Sequence, residues 1–387
     1  MPESNVYGNV GVPRIYVDYF SYAKAIGMVG DPTGDGYSSW NLTGGIDLAN
    51  AYDFNPTKLT GYIMGVGVTD GDPFTIRVKF KNYGTDTQAG KSMLQFENFL
   101  STINYAGCLG HKFGLENVRK VSCGAYKYLD VDGTITHSGD TININGNPIV
   151  GDATNTNSLG YFLHEINMNN ELLYPDRLGS FEFRFYPPTD NAFAEGSVVH
   201  LGTLTAGRYF DLPHNADVDV SLGFDFSGIT RNKTASGDIL TQINYKRPKW
   251  GDLRAWTNID LTPYHEQGID PKQALLDQDY STTGLQGRRS WNLSFSYISK
   301  DDMFPKNFDG NMSGNYEATT STFTWDEDSS IVSSWANATL GFQLPFILQP
   351  DKNKQDFAIV KAKANSIKVS QQAPMLYKFS ITLIEQY

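Results

Sequence analysis

Gly287-Arg288-Arg289-Ser290-Trp291-Asn292-Leu293-Ser294-Phe295-Ser296-Tyr297 is the stretch that decides the fold class. Trp291, Leu293, Phe295 and Tyr297 alternate with Asn292, Ser294 and Ser296, apolar against polar at a period of two. Neighbouring side chains of a strand point to opposite sides, so this spacing predicts a strand with one buried and one wet face. The pattern recurs outward along the chain. Phe74, Ile76, Val78 and Phe80 alternate with Thr75, Arg77, Lys79 and Lys81, and Phe181, Phe183 and Phe185 with Glu182, Arg184 and Tyr186. Val218, Val220, Leu222, Phe224 and Phe226 follow it, as do Tyr377, Phe379, Ile381 and Leu383 near the end. One buried and one wet face is the mark of antiparallel sheets, so the expected class is mainly β: antiparallel sandwich or barrel domains with one or two short helices.

Two stretches carry helical spacing instead. Met93, Phe96, Leu100 and Ile103 lie three or four apart and predict an amphipathic helix over about 91–105. Ile331, Trp335 and Thr339 predict a shorter one, introduced by Asp326-Glu327-Asp328-Ser329, residues suited to a helix N-terminus. The best linker is Pro187-Pro188-Thr189-Asp190-Asn191, rich in turn formers. It divides the chain into an N-terminal β-rich domain, 1–190, and a C-terminal β-sandwich domain, 191–387. Two connections in the second half, 247–289 and 300–328, are polar and rich in Gly, Pro, Asn and Asp. Connections this long are usually functional or contact-making.

Composition narrows the function classes. Of 387 residues 40% are apolar, enough for real cores, and 13% are aromatic, with 22 Tyr and 23 Phe. The net charge of −11 is spread along the chain, which argues against nucleic-acid binding because that needs clustered Lys and Arg. Lys246, Arg247, Lys249 and Arg254 form one small basic cluster, read as a solvated loop or subunit contact. No apolar run approaches the roughly 18 residues of a membrane span, so membrane insertion is not expected. Met1-Pro2-Glu3-Ser4-Asn5 lacks the basic and apolar runs of a secretory signal, which predicts synthesis in a cytoplasm. The two cysteines, Cys108 and Cys123, lack metal-ligand spacing and are read as buried free thiols rather than a disulfide.

Chemistry-bearing motifs are missing. His111, His137, His164, His200, His214 and His265 are scattered without ligand spacing. Asp130-Val131-Asp132-Gly133 starts like a calcium loop but reads as a hairpin turn before Thr134. No nucleophile elbow, Walker loop or Rossmann glycine fingerprint occurs. The expectation is therefore a non-enzyme with no catalytic residues, cofactor or metal. Trp250, Trp256 and Tyr264 in the loop after Pro248 are the candidate contact residues, because exposed aromatics fill a neighbouring subunit's pocket or stack on a sugar ring.

Gly207-Arg208-Tyr209-Phe210-Asp211-Leu212-Pro213-His214 resembles a Gly-x-Tyr-Tyr-Asp-x-Pro-His stretch of virion structural proteins from tailed bacteriophages, particularly those of marine hosts. The resemblance continues through Trp250-Gly251-Asp252-Leu253 and Gly287-Arg288-Arg289-Ser290-Trp291. It ends in Leu344-Pro345-Phe346, Gln349-Pro350-Asp351 and Asp356-Phe357-Ala358, and covers about half of the chain. It implies a tail-associated part of the virion: distal tail, baseplate or fibre. The implied partners are copies of the chain itself in a ring or trimer, together with other virion proteins. The alternatives are a receptor- or glycan-binding adhesin that meets a host surface glycan, and a capsid decoration protein.

Overall fold

A computed structural model describes residues 11–27, 54, 60–63, 74–79, 103–111, 118, 120–127, 142–144, 160–165, 178–186, 198–217, 221–225, 229–234, 236–243, 288–304, 330–354 and 357–386. The fold is mainly β, its sheets are antiparallel, and the helices are short. Among the described residues those helices are α1 (Tyr19–Ala25), α2 (Lys300–Met303) and α3 (Ile331–Ala338). None is long and apolar enough to cross a membrane. Contacts divide the chain into two compact units of separated stretches. The central unit comprises Tyr16–Phe210 and Asp301–Leu344; the terminal unit comprises Met1–Ile15, Asp211–Lys300 and Pro345–Tyr387. The linker expected at 187–191 lies outside the described residues, and the contact division falls elsewhere, at Ile15/Tyr16 and Phe210/Asp211.

The central unit begins inside β1 (Arg14–Asp18), which runs directly into α1. Asp18 caps this helix by accepting from the backbone N–H and the hydroxyl of Ser21. Tyr19, Phe20 and Ala23 form its buried stripe. Further strands are β2 (Thr60–Ile63), β3 (Phe74–Lys79), β4 (Tyr105–His111), β5 (Lys120–Lys127), β6 (Ile142–Ile144), β7 (Gly160–Glu165), β8 (Leu178–Tyr186) and β9 (Val198–Asp211). One sheet runs β9-β4-β7 with β2 also on β9; a second runs β3-β8-β5-β6. The sequence-distant partners explain why β9 belongs with earlier strands: Leu204 lies opposite Cys108, and Val199 opposite Tyr62. Phe181, Phe183 and Phe185 are fully buried, as their alternation requires, with the Phe20 ring 5.8 Å from Phe181 and 6.2 Å from Phe183. Each such ring contributes about 1.5–3 kcal/mol by leaving water.

The helix expected over 91–105 is only partly visible, since 91–102 lie outside the described residues. At its end the expectation fails: Tyr105 opens strand β4. The backbone there is taken by sheet bonds, with the Asn104 N–H donating to the Gly207 carbonyl at 2.9 Å and Tyr105 opposite Gly207. The second expected helix is present as α3, with Ser330 at its N-cap position but no side-chain capping bond, and without the acidic first turn that the sequence suggested. Trp335 is fully buried and meets Phe342 edge-on at 4.7 Å.

The terminal unit holds β10 (Ser221–Asp225), β11 (Ile229–Lys233), β12 (Ile239–Ile243), β13 (Arg288–Ser299), β14 (Phe346–Gln349), β15 (Ala358–Ala362), β16 (Lys368–Ala373) and β17 (Leu376–Glu385). Its strands lie in the order β10-β13-β17-β15-β14, with β16 also on β17 and β11-β12 forming a separate pair. Trp291, Leu293 and Phe295 of β13 face Leu383, Ile381 and Phe379 of β17, and all six are buried. Both connections read as loops are shorter than expected. Arg288 and Arg289 already belong to β13, and 300–303 form α2.

Candidate functional site

The motifs that begin at Gly207 and Gln349 resolve into structural stitching of the chain. Gly207 lies where a Cβ would sit on the carbonyl oxygen of Val17, so only glycine lets β9 come this close to β1. Two residues on, the Tyr209 N–H donates to Asn104 Oδ1 at 2.7 Å, and the Arg208 guanidinium lies 4.8 Å over the Phe210 ring. In the terminal unit Asp211 is gripped by Arg14, with Nε donating to Oδ1 at 2.6 Å and Nη2 to Oδ2 at 3.1 Å. Lys352 reaches the same carboxylate at 3.3 Å. Gln349 donates to the carbonyls of Lys354 and Lys352 at 2.7 and 3.3 Å, closing the Gln349-Pro350-Asp351 turn.

Partial burial of Asp211 raises its pKa, but hydrogen bonds and charge from Arg14, then Lys352, outweigh that and leave the carboxyl below its usual range. A depressed folded pKa means that the stabilisation is present above the unfolded value and lost as pH falls through the folded one. Denaturant titrations between about pH 5 and 2 should therefore show a loss of stability that is smaller in Asp211→Asn. An unchanged acid slope in that variant would refute the assignment.

Arg289 and Glu385 occupy positions that the alternation reserves for apolar side chains. Arg289 is in phase with Trp291, and Glu385 with Leu383, and each is 1% exposed. Arg289 Nη2 donates to Glu385 Oε1 at 2.8 Å, and its backbone N–H donates to Oε2 at 2.9 Å. The same guanidinium also donates to the Phe357 carbonyl at 3.2 Å and lies 5.1 Å from the Trp291 ring centre. Arg289 stood in the Gly287–Trp291 motif; Glu385 carried no signal beyond its even spacing from Phe379, Ile381 and Leu383.

Three further groups could have been chemical and are not arranged for it. Asp18 is buried, which raises its pKa, while bonds from Ser21 and Thr205 partly oppose this. Burial lowers His111 to about 3, which keeps it neutral. Cys108 and Cys123 are free and buried; burial pushes both thiols up, Cys123 to about 12. Thiols so placed stay protonated and inert. Among the described residues no three His, Cys, Asp or Glu side chains gather as a metal site would require.

What the terminal unit does present is an apolar surface held outward at strained backbone positions. Tyr297 was expected to face inward, in phase with Phe295. A bulge between Phe295 and Ile298 instead gives the buried place to Ile298 and leaves Tyr297 68% exposed at φ 62°. Asp217 anchors the approach, accepting from the hydroxyls of Ser294 and Ser296 at 3.0 and 2.8 Å and from the Ser296 N–H at 3.1 Å. Nearby, Pro374 and Met375 make the two-residue turn between Ala373 and Leu376, with Met375 at φ 63° and 62% exposed. Glycine is the unstrained choice at such φ; side chains there cost about 1–3 kcal/mol. The Met375 carbonyl accepts from Lys300 N–H at 3.0 Å, which ties the turn to the end of β13. Val369 on β16 adds a third exposed apolar residue. The aromatic residues singled out from sequence, Trp250, Trp256 and Tyr264, lie outside the described residues. Compared with known proteins, the chain matches no protein-family model, no curated protein and no solved structure.

Proposed function

We propose that this chain is a structural component of a bacteriophage particle, associated with the tail as a distal-tail, baseplate or fibre part, and that it works by self-association and contact with other virion proteins. The observation that carries the contact role is the Tyr297–Met375 surface: two large apolar side chains kept in water at backbone positions that glycine would occupy without strain. The polar clusters of the same unit act on the fold itself. Asp211, Asp217, Arg289 and Glu385 bind neighbouring strands and turns. The viral setting rests on the motifs around Gly207, Gly287 and Gln349.

The test is location. Antibody labelling and cryo-EM of particles from a phage that encodes the chain should place it on the tail, and mass spectrometry should find it in purified tails. Labelling spread over the capsid would replace this reading with that of a decoration protein. Absence from particles would overturn the virion reading altogether.

A further inference from the structure

Strands β11 and β12 form a two-stranded sheet of their own, and among the described residues each pairs only with the other. Such a hairpin is marginal in water without further strands or a packed face. This one carries Ile239 and Leu240, consecutive residues that point to opposite faces, at 66% and 60% exposure. Neither face of the arm is therefore closed at its tip. The same unit contains an open edge. Strand β16 pairs only with β17 among the described residues, and Lys368 to Gln372 are exposed on both faces. A free row of backbone N–H and C=O groups accepts one kind of occupant well, another strand.

The chain leaves the main sheet for the arm at one end, and the β16 edge lies towards the other. Strand β10 runs antiparallel to β13, with Ser221 opposite Asn292 and Asp225 opposite Arg288, so the chain departs towards the arm at the Arg288 end. Strand β16 lies beside β17 at the other end, where Ser380 pairs with both Lys368 and Ser294, and Leu376 with both Ala373 and Ser299. At about 3.3 Å per residue these levels are about 20 Å or more apart along the strands. Two complementary surfaces at separate places on one molecule generate head-to-tail contacts between copies.

We propose that the β12 edge of one copy adds to the β16 edge of the next, parallel and with Asp238 beside Lys368. The inference rests on the self-assembling role above and names the surfaces that carry it. Charge selects the strand and the direction. Exposed Asp238 immediately precedes β12, whereas β11 ends in exposed Lys233. Exposed Lys368 opens β16. Parallel addition puts the acid beside the base and Ile239 beside Val369, which is 47% exposed. Antiparallel addition would leave Asp238 near Ala373. The strand lengths match, five residues on the arm and six on the edge. Outward-held Met375 lies two residues beyond the end of β16, beside the path by which β12 would continue.

The experiment mixes two single variants of the full chain, Ile239→Cys and Val369→Cys, under mild oxidation. Cys108 and Cys123 are buried and do not compete. Disulfide dimers should form in the mixture and contain one of each variant. In sedimentation velocity, Asp238→Lys and Lys368→Asp should each weaken self-association about fivefold, and the double variant should regain it. Both positions are exposed, so near-UV circular dichroism should stay native. Dimers formed equally by either cysteine variant alone would indicate a symmetric contact and overturn the proposal. So would a chain that stays monomeric at every concentration, or charge reversals without effect. Discovery in tails together with monomeric purified protein would remove this contact and leave the virion role standing. Correct cross-links with absence from particles would do the reverse.

Discussion

Arg289→Met or Glu385→Leu alone should lower the unfolding free energy by about 3–5 kcal/mol, and the double replacement should recover most of that loss. The two side chains are 1% exposed and bonded at 2.8 Å, so either single change strands a charge where water cannot reach it. Removing both charges removes the stranded group as well. The double variant would place two apolar side chains in phase with Trp291, Leu293 and Phe295 on one strand and Phe379, Ile381 and Leu383 on the other. Coulomb attraction inside a protein rarely exceeds the desolvation of both ions by much, so the exchange is close to neutral. Urea denaturation of the four proteins of this cycle measures the coupling directly. A double variant as unstable as the sum of its singles would mean that the pair does more than neutralise itself. The Phe357 carbonyl and the Arg289 N–H each lose a bond in the double variant, so its recovery stops about 1–2 kcal/mol short.

Gly207→Ala should cost the central unit about 3 kcal/mol, the upper end of what overpacking usually costs. Overpacking is often relieved when a flexible side chain swings aside. Here the atom in the way is the carbonyl oxygen of Val17, part of the backbone of β1. The Gly207 carbonyl is itself tied to Asn104, and Gly207 sits opposite Tyr105 in the ladder, so β9 has little freedom to retreat. Buried bonds near this crossing would be disturbed with it, including Thr205 Oγ1 to Asp18 at 2.9 Å. The effect should appear in thermal unfolding followed by near-UV circular dichroism. Gly237→Ala in the exposed hairpin is the comparison: the new Cβ meets nothing within 4 Å, and φ 93° supplies only local strain. Equal losses at both positions would show that the clash at Gly207 relaxes.

Much of the β architecture is legible one strand at a time. Phe181, Phe183 and Phe185 read as inward from spacing alone, and the structure buries all three. Ile331 and Trp335 read as helical, and α3 contains both. The failures share a cause. Ile103 continues a helical spacing, yet Tyr105 two residues on joins a sheet because β9, about a hundred residues away, offers its backbone. Helix α1 follows strand β1 without an intervening turn, so little in the sequence separates the two. Its signal was short: a capping Asp18 with Ser21 three residues on. Tyr297 was read as inward because nothing local marks a bulge.

The exposed apolar surface was the least legible part. Met375 and Val369 look unremarkable in sequence, since neither belongs to a motif or a charge pattern. They matter because, among the described residues, no strand pairs with the outer edge of β16, and the Pro374–Met375 turn holds its second residue at positive φ. Exposure of an apolar residue depends on the strands that fail to cover it, and a linear pattern does not contain that information.

The amino-acid sequence by itself determined the β class, the inward phase of the strands around Phe183, Leu293 and Ile381, helix α3 and the acidic, motif-poor character of the chain. These follow from alternation, composition and local propensity, which act within a few residues. Only the tertiary structure decided that Arg289 meets Glu385 across 96 residues, that the contact division falls in β1 and β9, and that Tyr297 turns outward. Register and pairing are contests between distant segments for the same backbone bonds and the same buried space. Their outcome depends on every competitor at once.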